Sequence, residues 1–528
     1  MSKKLQSFYI LRLLSSRLKD GKNKINIGLD EARRNMEVVR LGESTLLEVI
    51  RRVEGKIFDP VELAELERKK KKKLQKNEKA KILDRIDKIL FIDSLVEIKF
   101  DNKKHYDAII KSGLFINGNE YIRILAGSGN LRRNQVFFIK KSIYEPVVKI
   151  LNNDRNQDVK LNPAKLGAYF GLYNSSGLKV RFPKFCVIPD FEYSRLTHLD
   201  WVDDDYLIIE TDKELALNLF DGQGLISPSF AARWQDDLGL DFLPSSFIFR
   251  APFSKGQLVV FDFHAFSSRI AKQNVIKDIW GKNIDINSVD VILSKSQFKL
   301  WECYDTYYDY RDACDRNGLG FRVTRYASKD VKKRIYTNYM FLQVLKLSDN
   351  DIKEFCQPTI DYFKDIIGFD REKMIIYLLP DSKKDTEEYE LNKFDSIQSA
   401  LMLSKEVALE PHVISRYMSS LRKKIKESYL GNLIVQGNFQ PLIADPYLQA
   451  SYMFGLQNGL LKDDEHYCKF WGDRNVELVA SGRSPLTHQS EMNISKIVSN
   501  EDIRYWFQYI RNGFIFSPQG IDTLLFAD

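Results

Sequence analysis

Between residues 215 and 330 the strand-type runs are short and repeatedly broken by glycine and proline: LFDGQGLISPSF, FIFRAPFSKGQLVVFDF, VDVILSKSQFKLW and FRVTRYAS. A βαβ unit alternates strands with helices, and a long regular sheet tolerates few such breaks. Short strands at irregular spacing therefore predict a closed β-barrel over 215–330. Around it the hydrophobic period changes. Residues 1–95 are expected to be helical and 96–214 mixed. Helices are expected again over 331–432 (IKEFCQPTIDYFKDII, VISRYMSSLRKKIKESYL), then strands over 433–528 (NLIVQGNFQPLIAD, NVELVASGRSPLT, GFIFSPQGIDTLLF). No repeat of 20–50 residues is visible, which excludes a solenoid or propeller.

Within 1–55 short helices are expected, with Asp30 as a plausible N-cap and Glu43-Ser44 opening the run TLLEVIRRV. From Asp59-Pro60 to about Leu90 the pattern predicts one long charged helix, with Pro60 in its first turn. Inside it lies the cationic run Arg68-Lys69-Lys70-Lys71-Lys72-Lys73. Such a run can be a solvated helix face or helical hairpin, a phosphate-backbone contact, or a nuclear-import signal. Residues 90–150 (LFIDSLVEIKF, YDAIIKSGLFING, NQVFFIKKSIY) read as strands. Asp203-Asp204-Asp205 has the look of a metal cluster, but alternate residues of a strand face opposite ways. Only Asp203 and Asp205 could share a ligand, and a solvated turn is the simpler reading.

Composition narrows the function classes. At 44% apolar and 29% charged residues the chain is neither collagenous nor wholly disordered. No stretch reaches the roughly 18 apolar residues of a membrane span, and basic residues break up the N-terminal apolar runs. Cys186, Cys303, Cys314, Cys356 and Cys468 form no C-x-x-C pair, which argues against a disulfide scaffold or zinc ribbon. A soluble, cytoplasmic protein with no membrane partner is expected. The net charge of +8, from 80 Lys+Arg against 72 Asp+Glu, permits a nucleic-acid partner without requiring one. The P-loop, nucleophile-elbow, zincin and protein-kinase signatures are all missing, and the six histidines never fall at metal-ligand spacing.

Three segments stand out. In Asp221-Gly222-Gln223-Gly224-Leu225-Ile226-Ser227-Pro228, glycines either side of one residue allow positive φ and close backbone approach, and Ser227-Pro228 can cap a following helix. In Arg250-Ala251-Pro252-Phe253-Ser254-Lys255-Gly256, Lys255 stands at the mouth of the strand QLVVFDF, where an ammonium can meet a phosphate. In Ser294-Lys295-Ser296-Gln297-Phe298-Lys299-Leu300-Trp301, Lys299 is placed at a strand end. Taken singly, each is no more than a turn or a surface cation.

In this order and spacing the segments resemble the two-barrel RNA polymerases: the RNA-dependent RNA polymerases of RNA silencing and related single-chain polymerases of bacterial prophages. There a DGxGxIS segment leads into a first double-psi β-barrel, and R-x4-KG and SQxKx strands supply two barrel lysines. The matching residues here are Asp221–Ser227, Arg250–Gly256 and Ser296–Lys299. The stretch Trp301–Tyr326 also looks like the prophage members. Gly482-Arg483-Ser484-Pro485-Leu486-Thr487-His488 is similar to the R-x-P-T-L-H element of the second barrel, although SPLTH replaces APTLH. The strand GFIFSPQGIDTLLFAD resembles the one leading into the family's metal loop DxDGD, and no DxDGD occurs in these residues.

The resemblance implies an α+β multidomain fold, with double-psi β-barrels embedded among helical domains and the second barrel incomplete. It implies the N-terminal portion of a template-directed RNA polymerase. An RNA 3′-hydroxyl would attack the α-phosphorus of a nucleoside triphosphate, with Mg²⁺ held by aspartates mostly outside these residues and Asp528 at the loop's threshold. Lys255 and Lys299 would neutralise phosphate charge, and Arg483 would contact the incoming sugar. Arg250, Asp221, Gly222 and Gly224 would line the substrate site, and Lys69, Lys70, Lys71, Lys72 and Lys73 would touch nucleic acid. Expected partners are a nucleic-acid template, the RNA product, nucleoside triphosphates and a polypeptide carrying DxDGD, without which the chain is expected to be inactive. The prophage-like stretch tilts the template toward DNA. An RNA template and a non-catalytic nucleic-acid-binding scaffold are the alternatives. On this reading 215–330 forms a six-stranded barrel with Lys255 and Lys299 on one side.

Overall fold

A computed structural model describes residues 3–18, 23–56, 58–70, 72, 75–101, 103–125, 127–202, 207–378, 401, 404–483, 486 and 489–520. The chain forms two compact units. The first comprises Met1–Ala327, Ile443–Leu460 and Asn500–Arg511; the second comprises Ser328–Leu442, Leu461–Ser499 and Asn512–Asp528.

The first unit begins with a seven-stranded sheet. Its strands are β1 (Ser7–Leu14), β2 (Lys24–Ile25), β3 (Val38–Gly42), β4 (Phe91–Lys99), β5 (Leu114–Ile116), β6 (Asn119–Leu125) and β7 (Gln135–Lys140), in spatial order β2-β5-β6-β7-β4-β1-β3. This corrects the helical expectation for 1–55. The run SFYILRLL is buried on both faces, with Phe8 and Ile10 in one core and Leu11 and Leu13 in another. A strand covered on both sides shows no clean alternation, so its period misleads. The helices that do form nearby are Leu29–Arg34, where Gly28 rather than Asp30 is the N-cap, and Thr45–Val53, where Ser44 caps as expected and accepts from Leu47 N. The long helix expected over 59–90 is two, Pro60–Lys70 and Lys76–Leu90, joined by an Arg85–Glu62 ion pair at 2.7 Å.

The second sheet of this unit contains β8 (Leu178–Lys179) and β9 (Phe185–Ile188). Next comes a separate ribbon of β10 (Glu192–Val202) and β11 (Ile208–Asn218), which pair only with each other. The sheet resumes with β12 (Gln223–Ile226), β13 (Ser246–Ala251) and β14 (Ser254–Val260). A small hairpin of β15 (Val275–Lys277) and β16 (Asn283–Asp285) intervenes before β17 (Val291–Ser294) and β18 (Arg322–Tyr326). The order β8-β18-β13-β14-β12-β17-β9 mixes parallel and antiparallel pairs and makes a curled sheet. Of its seven strands five come from 215–330, one fewer than the six expected there, and β8 and β9 come from before it. Its core is aromatic: Trp234, Phe247, Phe249, Phe253, Phe298, Tyr310 and Phe321 are fully buried, and Phe249 stacks on Phe321 at 5.4 Å. The stretch 301–326 supplies helix Tyr307–Asn317 and β18.

The second unit holds β19 (Arg334–Tyr336) paired with β20 (Ile434–Gln436), and the helices Asp349–Ile366, Arg371–Leu378 and Pro411–Tyr429 around Met374, Tyr377 and Tyr417. After β21 (Leu442–Ala444), where the chain crosses between units, come β22 (Glu465–Tyr467), β23 (Leu478–Gly482), β24 (Met492–Ile497) and β25 (Phe514–Phe516). Within this unit β22 pairs with β24 and β25, and β23 with β24. Asp203-Asp204-Asp205 lies outside the described residues. No helix among the described residues is long and apolar enough to cross a membrane.

Candidate functional site

The three sequence segments meet at one buried side chain, Gln297. Its Oε1 accepts from Ser294 N at 3.2 Å, and its Nε2 donates to Gly222 O at 3.0 Å and Gln257 O at 2.9 Å. The amide therefore bridges the entrance of β12 and the middle of β14. Room for it comes from glycine. A Cβ on Gly224 would collide with Gln297 Oε1 and with Ile292 O, and one on Gly256 would lie 2.6 Å from Gly222 O and collide with Gln297 Nε2. Gly222, at φ +68°, turns the chain into β12. Sequence reasoning gave Gln297 no role; the signal was that both DGxG and KG place glycines where one long polar side chain must pass.

The loop carrying Gln297 is fastened along its length. Lys295 N donates to Ile188 O at 2.9 Å and Ser296 N to Asp190 Oδ1 at 3.0 Å, while Ser296 Oγ accepts from Gly222 N at 3.0 Å. An isolated antiparallel bridge pairs Ser254 with Phe298, flanked by Lys255 N to Gln297 O (3.1 Å) and Lys299 N to Phe253 O (3.0 Å). Ser254 and Phe298 are buried; Lys255 is exposed and Lys299 half-buried. Phe253 and Gln297, which flank the same bridge, are buried, so alternation alone does not put the two lysines on one face.

Cations also line up across the sheet. Lys179 opposes Arg322, Arg322 opposes Arg250, and Arg250 opposes Lys255, one residue on each of β8, β18, β13 and β14. Like charges directly opposite one another are destabilising. Carboxylates relieve one end: Glu48 pairs with Arg322 and, at 3.0 Å, with Lys179, and Glu43 lies 3.8 Å from Arg322. Burial raises the pKa of Glu48, but the two cations outweigh it and hold the carboxyl below its ordinary value. At the other end Arg250 donates to Phe249 O at 2.7 Å, and its buried Nε has no hydrogen-bond partner. Burial lowers its pKa, yet an arginine stays charged at any working pH. The Arg250 end is thus a cationic surface beside Lys255, with Asp221 exposed at the neighbouring turn.

A second lock reaches the returning segment 443–460. Gln223 Nε2 donates to Ala444 O at 2.8 Å and to Gln449 Oε1 at 3.1 Å. In return Ala444 N donates to Gln223 Oε1 at 2.9 Å, and Gln449 Nε2 to Gln223 O at 3.1 Å. Ser227 caps helix Pro228–Leu238, accepting from Phe230 N, with Pro228 in the first turn as expected.

The remaining expected residues lie elsewhere. Arg483 directly follows β23 in the second unit and is half-buried; Pro485 and His488 lie outside the described residues. Lys69 and Lys70 end helix Pro60–Lys70 and Lys72 follows it, all exposed, while Lys71, Lys73 and Asp528 lie outside the described residues. Among the described residues no three His, Cys, Asp or Glu side chains converge on a point that could hold a metal. The described residues alone therefore do not fit a Mg²⁺ site.

Residues 48–524 match the family described as RNA dependent RNA polymerase, which takes in most of the chain and every segment of this site. The chain belongs to that family. A curated member-like protein, the DNA-directed RNA polymerase YonO of Bacillus phage SPbeta, is 26% identical over 416 residues, covering 76% of this chain and 46% of its own length. The chain thus spans about half the length of that relative. Among solved structures, the RNA dependent RNA polymerase QDE-1 from Thielavia terrestris aligns over 81% of this chain and 46% of its own, at 12% identity and a TM-score of 0.48.

Proposed function

We propose that this chain is the N-terminal portion of a template-directed RNA polymerase. In this reading the curled sheet of the first unit is the first double-psi β-barrel and 433–528 begins the second. The observation that carries it is the meeting of the three segments at Gln297, inside a region that matches the polymerase family throughout. Lys255 and Lys299 bind the phosphates of the incoming triphosphate and offset the charge that builds during transfer, a role suited to donors fixed in advance by a rigid loop. Arg250 holds the same anion from the next strand; Asp221, Gly222 and Gly224 shape the approach; Arg483 contacts the sugar. The exposed lysines at 69–73 attract the nucleic-acid backbone. The metal-binding aspartates come from polypeptide carrying DxDGD, and Mg²⁺ supplies its usual activation of the attacking hydroxyl when bound there. A DNA template is favoured over an RNA template by the likeness to the phage polymerase.

The test is single-turnover extension of a preformed primer–template complex by the assembly that contains this chain and a DxDGD segment. Lys255→Ala and Lys299→Ala should each slow chemistry on the order of a hundredfold, lowering kcat and kcat/KM together. Substitutions at Lys69, Lys70 and Lys72 should weaken binding and flatten its salt dependence, with chemistry on bound substrate unchanged. Wild-type chemistry in both barrel-lysine variants would overturn their phosphate role and leave the polymerase reading without its best residues; no extension by the wild-type assembly would leave a nucleic-acid-binding scaffold.

A further inference from the structure

In the second unit, three pieces of chain converge on the β19–β20 pair. Segment 329–334 brings Lys329, Lys332, Lys333 and Arg334 against Asp330, all exposed. Helix Pro411–Tyr429 brings Arg416, Arg422, Lys423, Lys424 and Lys426, with Glu427 as its one acidic residue. The helix is tied to β19 by Lys424, whose Nζ lies 4.9 Å from the Tyr336 ring centre. Beyond the helix, Thr337 Oγ1 donates to Gly431 O at 2.7 Å, and a Cβ on Gly431 would lie 3.1 Å from the Tyr339 backbone. Gly437 N donates to Lys333 O at 3.1 Å. Three aromatic residues on these pieces are turned to solvent: Tyr429 is 85% exposed, Phe439 75% and Tyr339 62%. Along the helix, Arg422, Lys426 and Tyr429 follow an i, i+4, i+7 spacing and share one stripe.

The three pieces carry nine cations against Asp330 and Glu427, while helix Asp349–Ile366, tied to β20 by Ile434 N donating to Thr359 Oγ1 at 2.9 Å, brings Asp349, Asp351, Glu354, Asp361 and Asp365. Exposed rings interleaved with that excess of cations have a chemical partner of their own. Phosphates meet the cations while unstacked bases lie on the rings, which a closed duplex does not offer. A second copy of the same cationic surface would be repelled. We propose that this surface binds a single-stranded stretch of nucleic acid, template or product, as it passes the polymerase. The proposal rests on the polymerase reading and adds a strand-holding surface to it, distinct from the barrel lysines.

The experiment measures binding of the full 528-residue chain to fluorescein-labelled 20-mers, dT20 and U20, across a salt series. Tyr429→Ala with Phe439→Ala should weaken binding about tenfold or more with an unchanged salt slope, since stacking carries no counterion. Arg422→Gln with Lys426→Gln should reduce the log–log salt slope by about 1.4, roughly 0.7 for each lost phosphate contact. Tyr429→Trp should restore affinity, which a folding defect would not allow. Unchanged affinity and slope in both double variants, with the wild type binding, would overturn this surface and leave the polymerase reading intact. Failure of the wild type to bind either oligomer would overturn both. Equal displacement by polyglutamate from the wild type, lost in the variants, would assign the surface to an acidic protein and overturn the proposal.

Discussion

The two seven-stranded sheets of the first unit reach the same strand count by opposite means. The N-terminal sheet is held by apolar residues on both faces, among them Leu95, Ile98, Phe137 and Phe138, all essentially inaccessible. Its contacts are non-directional, so many apolar side chains of similar size would serve. The second sheet has an aromatic core too, but β12 and β14 are also bridged by one amide, Gln297, threaded between glycines with no room for a Cβ. The first arrangement tolerates substitution and leaves no signature; the second forbids it and leaves a motif.

That contrast breaks most sharply at Gly224. Gly224→Ala drives a methyl into Ile292 O and Gln297, and unfolding in urea should reveal a loss of about 4 kcal/mol or more, the range reserved for severe steric conflict. Next comes Gln297→Met, which keeps the volume but removes the amide's bonds to Gln257 O and Ser294 N and one of the two that Gly222 O accepts, Gln257 N still donating to it at 2.9 Å. A loss of about 2–3 kcal/mol is expected by the same measurement. The comparable volume-conserving change in the other sheet, Ile98→Leu, should cost about 1 kcal/mol, and a value equal to that of Gln297→Met would erase the distinction. The smallest effect concerns Glu48, on the helix between the sheets. Its carboxyl is held below its ordinary 4.5, so its contribution is present above that pH and is lost as pH falls through the lowered value. The gap in Tm between wild type and Glu48→Gln should therefore be open at pH 7 and close as pH falls below 4.5 and through the lowered value, and a gap that widens in acid would contradict it.

The same contrast explains what the sequence made legible. Ser44 and Ser227 were readable as caps because capping is local: a hydroxyl reaches an amide three residues on. DGxG, KG and SQxK were readable because each marks a backbone with no alternative. Strand β1 was not, since SFYILRLL buries both faces and its partner β4 lies far along the chain. The break after Lys70 was hidden because a lysine run continues a charged helical pattern equally well. Gln297 went unassigned for a different reason. Its role exists only when β12 and β14 are already side by side, a parallel pairing that no local period announces. The row Lys179–Arg322–Arg250–Lys255 likewise belongs to register, not to any one segment.

The Gln223–Gln449 lock also imposes an order on birth. Its two halves are 226 residues apart, and residues 443–460 and 500–511 complete the first unit. At roughly 5–20 residues per second, a ribosome that has just made Gln223 needs some ten seconds or more to deliver Gln449. Through that interval the amide and backbone of Gln223 have no Ala444 or Gln449 to bind. The sheet that carries Lys255 is therefore finished only after most of the second unit has emerged. Fragments ending anywhere between residues 330 and 440 should carry this sheet with an open polar seam, and should be recovered by supplying 443–511 in trans.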